Sequence, residues 1–319
     1  MEHHFNQRAP KKSVVQTNDI DEQAHNLTQW QQVYDQVSNG SFYGCIEGLD
    51  YPDMHLFKEF TQRALRQQCN IAPNSIWLGI PCRSEQSKIN GLQLDTHQLM
   101  CRSSDYDFEL ITPEQFTIYG VVLNQHSLYS MAEIQGLSLK NLSTRGAERI
   151  DCNPILLNQT RLMIEKLINH SELGLRTDLQ QDMLSTLALN LLSQPASTQT
   201  VAPSYQHRLA VVEKVKAFID DHPQQAVTIT QLCELTFVSR RTLQYSFESI
   251  LGINPLRFLR LTRLNNVRRE LKQPDLHHPI SVIAANWGFW HPGQFTKDYT
   301  QLFGENPSLT RQRYQPAQP

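Results

Sequence analysis

From Ser41 to about Leu123 the apolar positions come in short runs: Phe42–Ile46, Ser75–Ile80, Gln98–Cys101 and Phe116–Leu123, broken by Pro, Gly, Asn and Asp. Runs of that length between turn formers predict β-strands, and their spacing fits an antiparallel sandwich or small barrel. Residues 1–40 are more polar and predict a flexible arm with a short helix around Leu27–Val37. Beyond Asn124 the period becomes helical. In Pro154–Asn169, Leu156, Met163 and Leu167 fall on one side, with Leu157, Ile164 and Ile168 beside them. In Leu175–Leu192, Leu175, Leu179, Met183, Leu187 and Leu191 recur at every fourth position. Both patterns predict amphipathic helices with wide apolar stripes. The stripes either cover the sheet or meet a second copy of the chain. Ser193–Ser204, SQPASTQTVAPS, is polar and aperiodic, as a linker is. The remainder reads as helical, with Pro255, Pro279, Pro292 and Pro307 at positions suited to helix starts.

The helical end repeats itself. A shift of 52 residues lays Thr228–Pro255 on Ile280–Pro307. Phe237 then meets Phe289, Leu243 meets Phe295, Phe247 meets Tyr299 and Leu251 meets Phe303. The copies end alike, Gly252 on Gly304, Asn254 on Asn306 and Pro255 on Pro307. Each copy parses as a short helix, a turn and a second helix, at about 228–251 and 280–303. In the first, Ser239 is the N-cap of a helix that buries Leu243 and Phe247 and exposes Arg240, Arg241, Gln244 and Tyr245. In the second, Phe295 and Tyr299 face inward while His291, Gln294, Thr296 and Lys297 face out.

That layout is a helix-turn-helix, whose second helix enters the major groove of DNA. Arg can bond a guanine edge twice, and Gln an adenine edge. Backbone N–H groups at helix starts hold phosphates. Between the copies, Leu256–Leu271 predicts a helix with Leu256, Leu259, Leu264, Val267 and Leu271 on its apolar side. At ~1.5 Å per residue it is ~24 Å long, and with the flanking helices it sets two readers ~34 Å apart, one DNA turn.

Charge agrees with a polyanion at this end. The chain has 319 residues, enough for two domains. Its net charge of −2 divides unevenly: residues 205–319 hold 14 Lys and Arg against 9 Asp and Glu, and residues 1–204 hold 15 against 22. No apolar run reaches the ~20 residues of a membrane helix, and Met1–Asp19 lacks the apolar core of a signal peptide, so the expectation is a cytoplasmic protein with no membrane partner. Cys45, Cys69, Cys82, Cys101, Cys152 and Cys233 lack metal or disulfide spacing, as buried free thiols do.

The segment VSRRTLQYSFESILGINPLRFLRLTRLNNVRREL from Val238 and the segment GFWHPGQFTKDYTQLFGENPS from Gly288 resemble the AraC/XylS family of bacterial regulators. The likeness covers about Leu209–Tyr314 and rests on Val-Ser, Arg, Leu, Phe, Gly and Pro in the first unit, and on Gly-Phe, Phe-Gly and Pro in the second. Within the family, the second unit is most similar to activators of ethanolamine-utilisation operons. The resemblance implies DNA contacts at Ser239, Arg240, Arg241, Gln244 and Tyr245, and at His291, Gln294, Thr296 and Lys297. Tyr245 stands where relatives often carry Arg, and Pro292 and Gly293 where some carry polar side chains, so the second reader leans more on shape and phosphates.

The resemblance also implies an α+β chain. A cupin-like sandwich or barrel with dimerisation helices (41–192) is joined by a linker (193–204) to an all-α DNA-binding domain of two helix-turn-helix units and a long helix (205–319). The implied partners are double-stranded promoter DNA, RNA polymerase, a second copy of the chain and a small-molecule effector. The implied function is an effector-responsive activator, with no catalytic residues, metal or cofactor. No effector residues are identified: His55, His97 and His126 stand alone, and Tyr51, Trp77, Cys82 and Tyr119 are pocket candidates for which packing is the simpler role. Two rival classes remain open, a cysteine-based redox-sensing regulator and a protein-binding helical module without DNA affinity.

Overall fold

The computed structural model describes residues 10–27, 30–83, 87–139, 148–169, 176–194, 203–222, 225, 227–275 and 278–314. The chain divides into two units. The first takes in Met1–Tyr34, Tyr43–Gln62 and Gln67–Thr198; the second takes in Asp35–Phe42, Arg63–Arg66 and Gln199–Pro319. The expected linker falls mostly outside the described residues.

The first unit is built on two antiparallel sheets. The larger has seven strands in the order β1 (Lys11–Thr17), β3 (Gly44–Tyr51), β4 (Met54–Thr61), β11 (Phe116–Asn124), β6 (Ser75–Pro81), β9 (Gln98–Ser103) and β12 (Arg149–Asp151). The smaller has five, β2 (Gln31–Gln36), β5 (Leu65–Asn70), β10 (Phe108–Thr112), β7 (Lys88–Ile89) and β8 (Leu92–Gln93). The helices are α1 (Ile20–His25), α2 (Gln125–Ile134), α3 (Pro154–Asn169) and α4 (Thr177–Leu192).

The large sheet is buried on both faces. Alternation along β6 sends Trp77 one way and Ile76, Leu78 and Ile80 the other. Trp77 packs with Phe57, Met100 and Ile118 against Cys69, Ile89, Phe108 and Leu110 of the smaller sheet. Its indole stacks on Phe108, ring centroids 4.9 Å apart, with the edge of Trp30 at 5.8 Å. Gly120 leaves room for this layer, since a Cβ there would lie 2.0 Å from the Phe57 ring. On the other face, Leu49, Leu56, Leu78, Tyr119 and Val121 pack against Leu128, Leu157, Ile164, Leu167, Leu184 and Ala188 of the helices. The four pocket candidates therefore do not converge: Trp77 lies between the sheets, whereas Tyr51, Cys82 and Tyr119 lie under the helices.

The order of elements corrects three expectations. Lys11–Thr17 is a paired edge strand rather than arm, the helix near the start is Ile20–His25, and Gln31–Gln36 is strand where Leu27–Val37 was expected to be helical. Asp19 fixes α1 by accepting from the N–H groups of Asp21 and Glu22, while Tyr34 and Glu59 hold the strand in place of the helix. The stripe of α4 is also rotated. Leu179 and Met183 are exposed, Leu187 is half-buried, and the face on the sheet is Leu184, Ala188, Leu189, Leu191 and Leu192. Period-four counting drifts around a helix of 3.6 residues per turn, so the stripe runs from the exposed Leu179 and Met183 to the buried Leu191.

Burial acts strongly on one carboxyl of the first unit. Glu59 of β4 accepts hydrogen bonds from Gln23 Nε2 (2.9 Å) and Tyr34 Oη (3.2 Å). Burial nevertheless pushes it up to about 7. A carboxyl raised above its unfolded value contributes stability below about pH 4.3 that is lost as pH rises through about 7. Thermal unfolding of the chain should therefore show a first transition that weakens between pH 5 and pH 8. Glu59→Gln should flatten that decline and leave the variant more stable at pH 8 by on the order of 2–3 kcal/mol. Parallel curves for the two proteins would disprove the assignment.

The second unit contains α5 (Pro203–Asp221), α6 (Ile229–Thr236), α7 (Arg240–Leu251), α8 (Pro255–Leu271), α9 (Ile280–Asn286), α10 (Pro292–Phe303) and α11 (Pro307–Tyr314). α7 and α10 are offset by the 52 residues of the sequence repeat, as are the starts of α8 and α11. Among the described residues no helix is long and apolar enough to cross a membrane.

Candidate nucleic-acid interface

Each copy of the repeat holds its second helix by one face. In the first, Thr228 and Gln231 form a capping box that starts α6. The chain reverses at Phe237, a non-glycine residue at φ 56°, and Ser239 then caps α7 by accepting from Thr242 N at 3.2 Å. α7 buries Leu243, Phe247, Ile250 and Leu251 and ends at Gly252, φ 74°. The opposite face carries Arg240, Arg241, Gln244 and Tyr245, all exposed. Their spacing of one, four and five residues puts them on one side of the helix.

The second copy repeats this plan with different fittings. Gly288 takes the positive φ, 83°, one position earlier than the matching Phe237. That shift lets Phe289 fold in against Phe295, ring centroids 5.3 Å apart, while Phe237 is 88% exposed. α10 starts at Pro292 with His291 in the N-cap place but without a side-chain cap bond. Phe295, Tyr299, Leu302 and Phe303 are buried, and Gly304 ends the helix at φ 71°. His291, Gln294, Thr296 and Lys297 are exposed. Two of them are already engaged within the helix: Gln294 Nε2 donates to Asp298 at 2.8 Å and Thr296 Oγ1 to the Pro292 carbonyl at 2.9 Å. Arg260 of α8 pairs with the same Asp298.

α8 is the predicted spacer, but its buried set is wider than the expected stripe. Phe258, Leu259, Leu261, Leu264, Val267 and Leu271 are buried, while Leu256, expected on the apolar side, is 57% exposed. Phe258 meets Phe247 of α7 at 5.3 Å, and the C-terminal half of α8 packs on Phe295, Tyr299, Leu302 and Phe303. α8 thus joins both copies into one body.

Three features beside the readers were missed in the sequence. Trp290, 71% exposed, precedes α10 on the side of His291. From α5, Arg208 lies 5.2 Å over the Tyr245 ring and Lys214 lies 5.0 Å over Phe237. An aromatic in a helix-turn-helix turn carries no sequence signal that separates exposure from packing, and α5 lies outside the repeat.

Five of the six thiols are held above the ordinary value by burial. Burial pushes Cys82 up to about 11, Cys101 and Cys152 up to about 12, and Cys45 and Cys69 upward as well. A redox-reactive cysteine needs the opposite, a lowered thiol pKa. All six cysteines are free.

Residues 232–313 match the family described as "Helix-turn-helix domain". Among similar proteins, the XylDLEGF operon transcriptional activator 3 of Pseudomonas putida is 32% identical over 135 residues, which are 41% of this chain and 39% of that one. The probable thc operon regulatory protein of Rhodococcus erythropolis is 35% identical over 99 residues, 31% of this chain and 30% of that one. The chain thus spans well under two thirds of the length of these relatives. A crystal structure of a probable AraC family transcriptional regulator from Rhodopseudomonas palustris is 31% identical, covering 34% of this chain and 99% of that one, with a TM-score of 0.32. The expected particular likeness to ethanolamine-utilisation activators is not supported: several of the relatives matched are XylDLEGF operon activators. The C-terminal part of the chain thus matches a helix-turn-helix domain, and it is similar in sequence to parts of transcription activators and of a putative AraC-like transcription regulator.

Proposed function

We propose that the chain is a sequence-specific transcription regulator, an effector-responsive activator that reads two successive major grooves of promoter DNA with α7 and α10. The observation that carries this reading is the pairing of two helices in the same register. Each is buried on one face and polar on the other, and each is closed by a glycine at nearly the same φ. Ser239, Arg240, Arg241, Gln244 and Tyr245 are assigned to the first groove, and His291, Gln294, Thr296 and Lys297 to the second. α8 is the spacer, and residues 205–319 hold the helices of the DNA-binding domain. RNA polymerase is the implied partner of an activator.

The first unit is assigned as a cupin-like effector and dimerisation domain. Its two sheets enclose an aromatic interior in which Trp77 Nε1 has no hydrogen-bond partner. A self-association face is supported by Ile155, Leu162, Leu179 and Met183, apolar side chains that α3 and α4 leave exposed after the sheet is covered.

The test uses a duplex selected from a random-sequence pool by the full chain. Arg241→Ala should weaken binding by about 1–3 kcal/mol and relax preference at one or two base pairs. Lys297→Ala should weaken all sequences alike and lower the salt slope by about 1 if it holds a phosphate. Isotherms over single-base variants at two salt concentrations separate these outcomes. Failure of the full chain to enrich any duplex would end the DNA-binding reading.

Self-association is tested by sedimentation. Leu162→Asp and Met183→Asp should each shift the chain from dimer to monomer while leaving the unfolding temperature near the parent's. Leu191→Ala should do the reverse, costing about 2–5 kcal/mol of stability because that side chain is fully buried, without dissociating the dimer. A parent chain that stays monomeric at high concentration removes this part of the proposal.

A further inference from the structure

The two copies of the repeat also differ at the C-terminal ends of their second helices. Around Gly252, at the end of α7, a Cβ would meet nothing within 4 Å. At the matching Gly304, a Cβ would lie 2.3 Å from Ser41 Oγ and 2.6 Å from Ser41 N. What fills that space is Asp35–Phe42, the part of the second unit that is most distant from α10 in sequence.

This segment serves the last turn of α10 directly. A helix leaves its last carbonyls without intrahelical donors. Gly40 N donates to the carbonyls of Gln301 (3.1 Å) and Leu302 (2.9 Å), and Gln36 Nε2 donates to Leu302 O at 2.6 Å. Gly40 takes φ 108°, a conformation open to glycine, to aim its N–H there. The same segment is fixed to α8. Asn265, 1% exposed, accepts from Gln36 N at 3.0 Å and donates to Gln36 O at 3.1 Å, the two-bond pattern of a strand neighbour made by a side chain. Val37 packs into the cluster of Leu264, Val267, Tyr299 and Leu302. Asp35 pairs with Arg269 of α8 at 2.6 Å and with Arg66 at 3.2 Å, and Arg66 lies 5.2 Å over Phe258.

We propose that Asp35–Phe42 is a working part of the second reader, with Gln36 the positioning residue: it caps α10 and pins that helix to α8, so the second groove is read only while the segment is seated. The proposal rests on the DNA-reading function above. It adds that the two readers are held by different means, and that the second depends on residues far upstream of residues 205–319.

Footprinting of the full chain on the selected duplex tests it. Failure to obtain such a duplex defeats the DNA-reading function itself, so the two claims fail separately. Protection lost in Lys297→Ala marks the half-site of α10, and protection lost in Arg241→Ala marks that of α7. Gln36→Ala and Gly40→Ala, which alter the segment and leave every helix residue intact, should each lose the α10 half-site and keep the α7 half-site. Affinity should fall about tenfold, equivalent to about 1.4 kcal/mol. Wild-type footprints from both variants, or loss of both half-sites together, would overturn the proposal. Hydrogen exchange on the unaltered chain gives an answer independent of how the variants fold. The Gly40 amide should exchange well below the coil rate, and exchange at the coil rate would show the segment unseated and the proposal wrong.

Discussion

Helix α8 is buried along most of its length, between the second helices of the two copies. It buries Phe258 toward α7 and Leu264, Val267 and Leu271 toward α9 and α10. Each such side chain contributes about 1.5–3 kcal/mol when removed from water. A helix enclosed in this way must also satisfy whatever polar groups it buries. Two stand out. Arg268, 4% exposed, pairs with Glu305 at 2.7 Å beside the end of α10, and its guanidinium lies 5.0 Å over Phe303. Asn265 spends its amide on the backbone of Gln36. The polar residues of the spacer are thus the points at which other segments are attached. The apolar ones pack against the second helices of both copies.

The same rule, one face for the fold and one for a partner, makes the C-terminal part legible in sequence. Leu243, Phe247, Phe295 and Tyr299 were readable as core because they recur at helical spacing in both copies. The exposed Arg240, Arg241, Gln244 and Lys297 follow from the other face. Local chemistry also carried the boundaries: Ser239 caps α7, Pro292 opens α10, and Gly252 and Gly304 close the two helices. Leu256 misled because a helix buried on several sides has no single stripe to extrapolate.

The N-terminal part was less legible for the same physical reason. In β11, FTIYGVVLN, nearly every residue is buried, since one face meets the smaller sheet and the other meets the helices. Continuous apolar runs of this kind reveal strands: three of the four runs lie within β6, β9 and β11, and Phe42–Ile46 enters β3 at Gly44. The polar strands KKSVVQT and LRQQCN lie outside that signal. The first is an edge paired only with β3, and the second lies in the smaller sheet, where Arg66, Gln67 and Cys69 are buried. Their pairing is decided by long-range contacts that no local pattern contains.

The repeat itself argues that its copies have diverged in how they are held. The first has local caps, a capping box at Thr228 and Gln231 and a hydroxyl cap at Ser239, besides its packing on α5 and α8. The second lacks the equivalent device: His291 makes no cap bond, and Pro292 and Gly293 follow it. Instead, Arg260 of α8 reaches Asp298 in the middle of α10, Arg268 reaches Glu305 just past its end, and Gly40 and Gln36 serve its last carbonyls. N-capping is worth about 1 kcal/mol and is built into the helix it serves. Support from another segment is present only when that segment is in place. On the proposed DNA-reading function, the second copy is therefore the one whose reading depends on a segment outside its own helices.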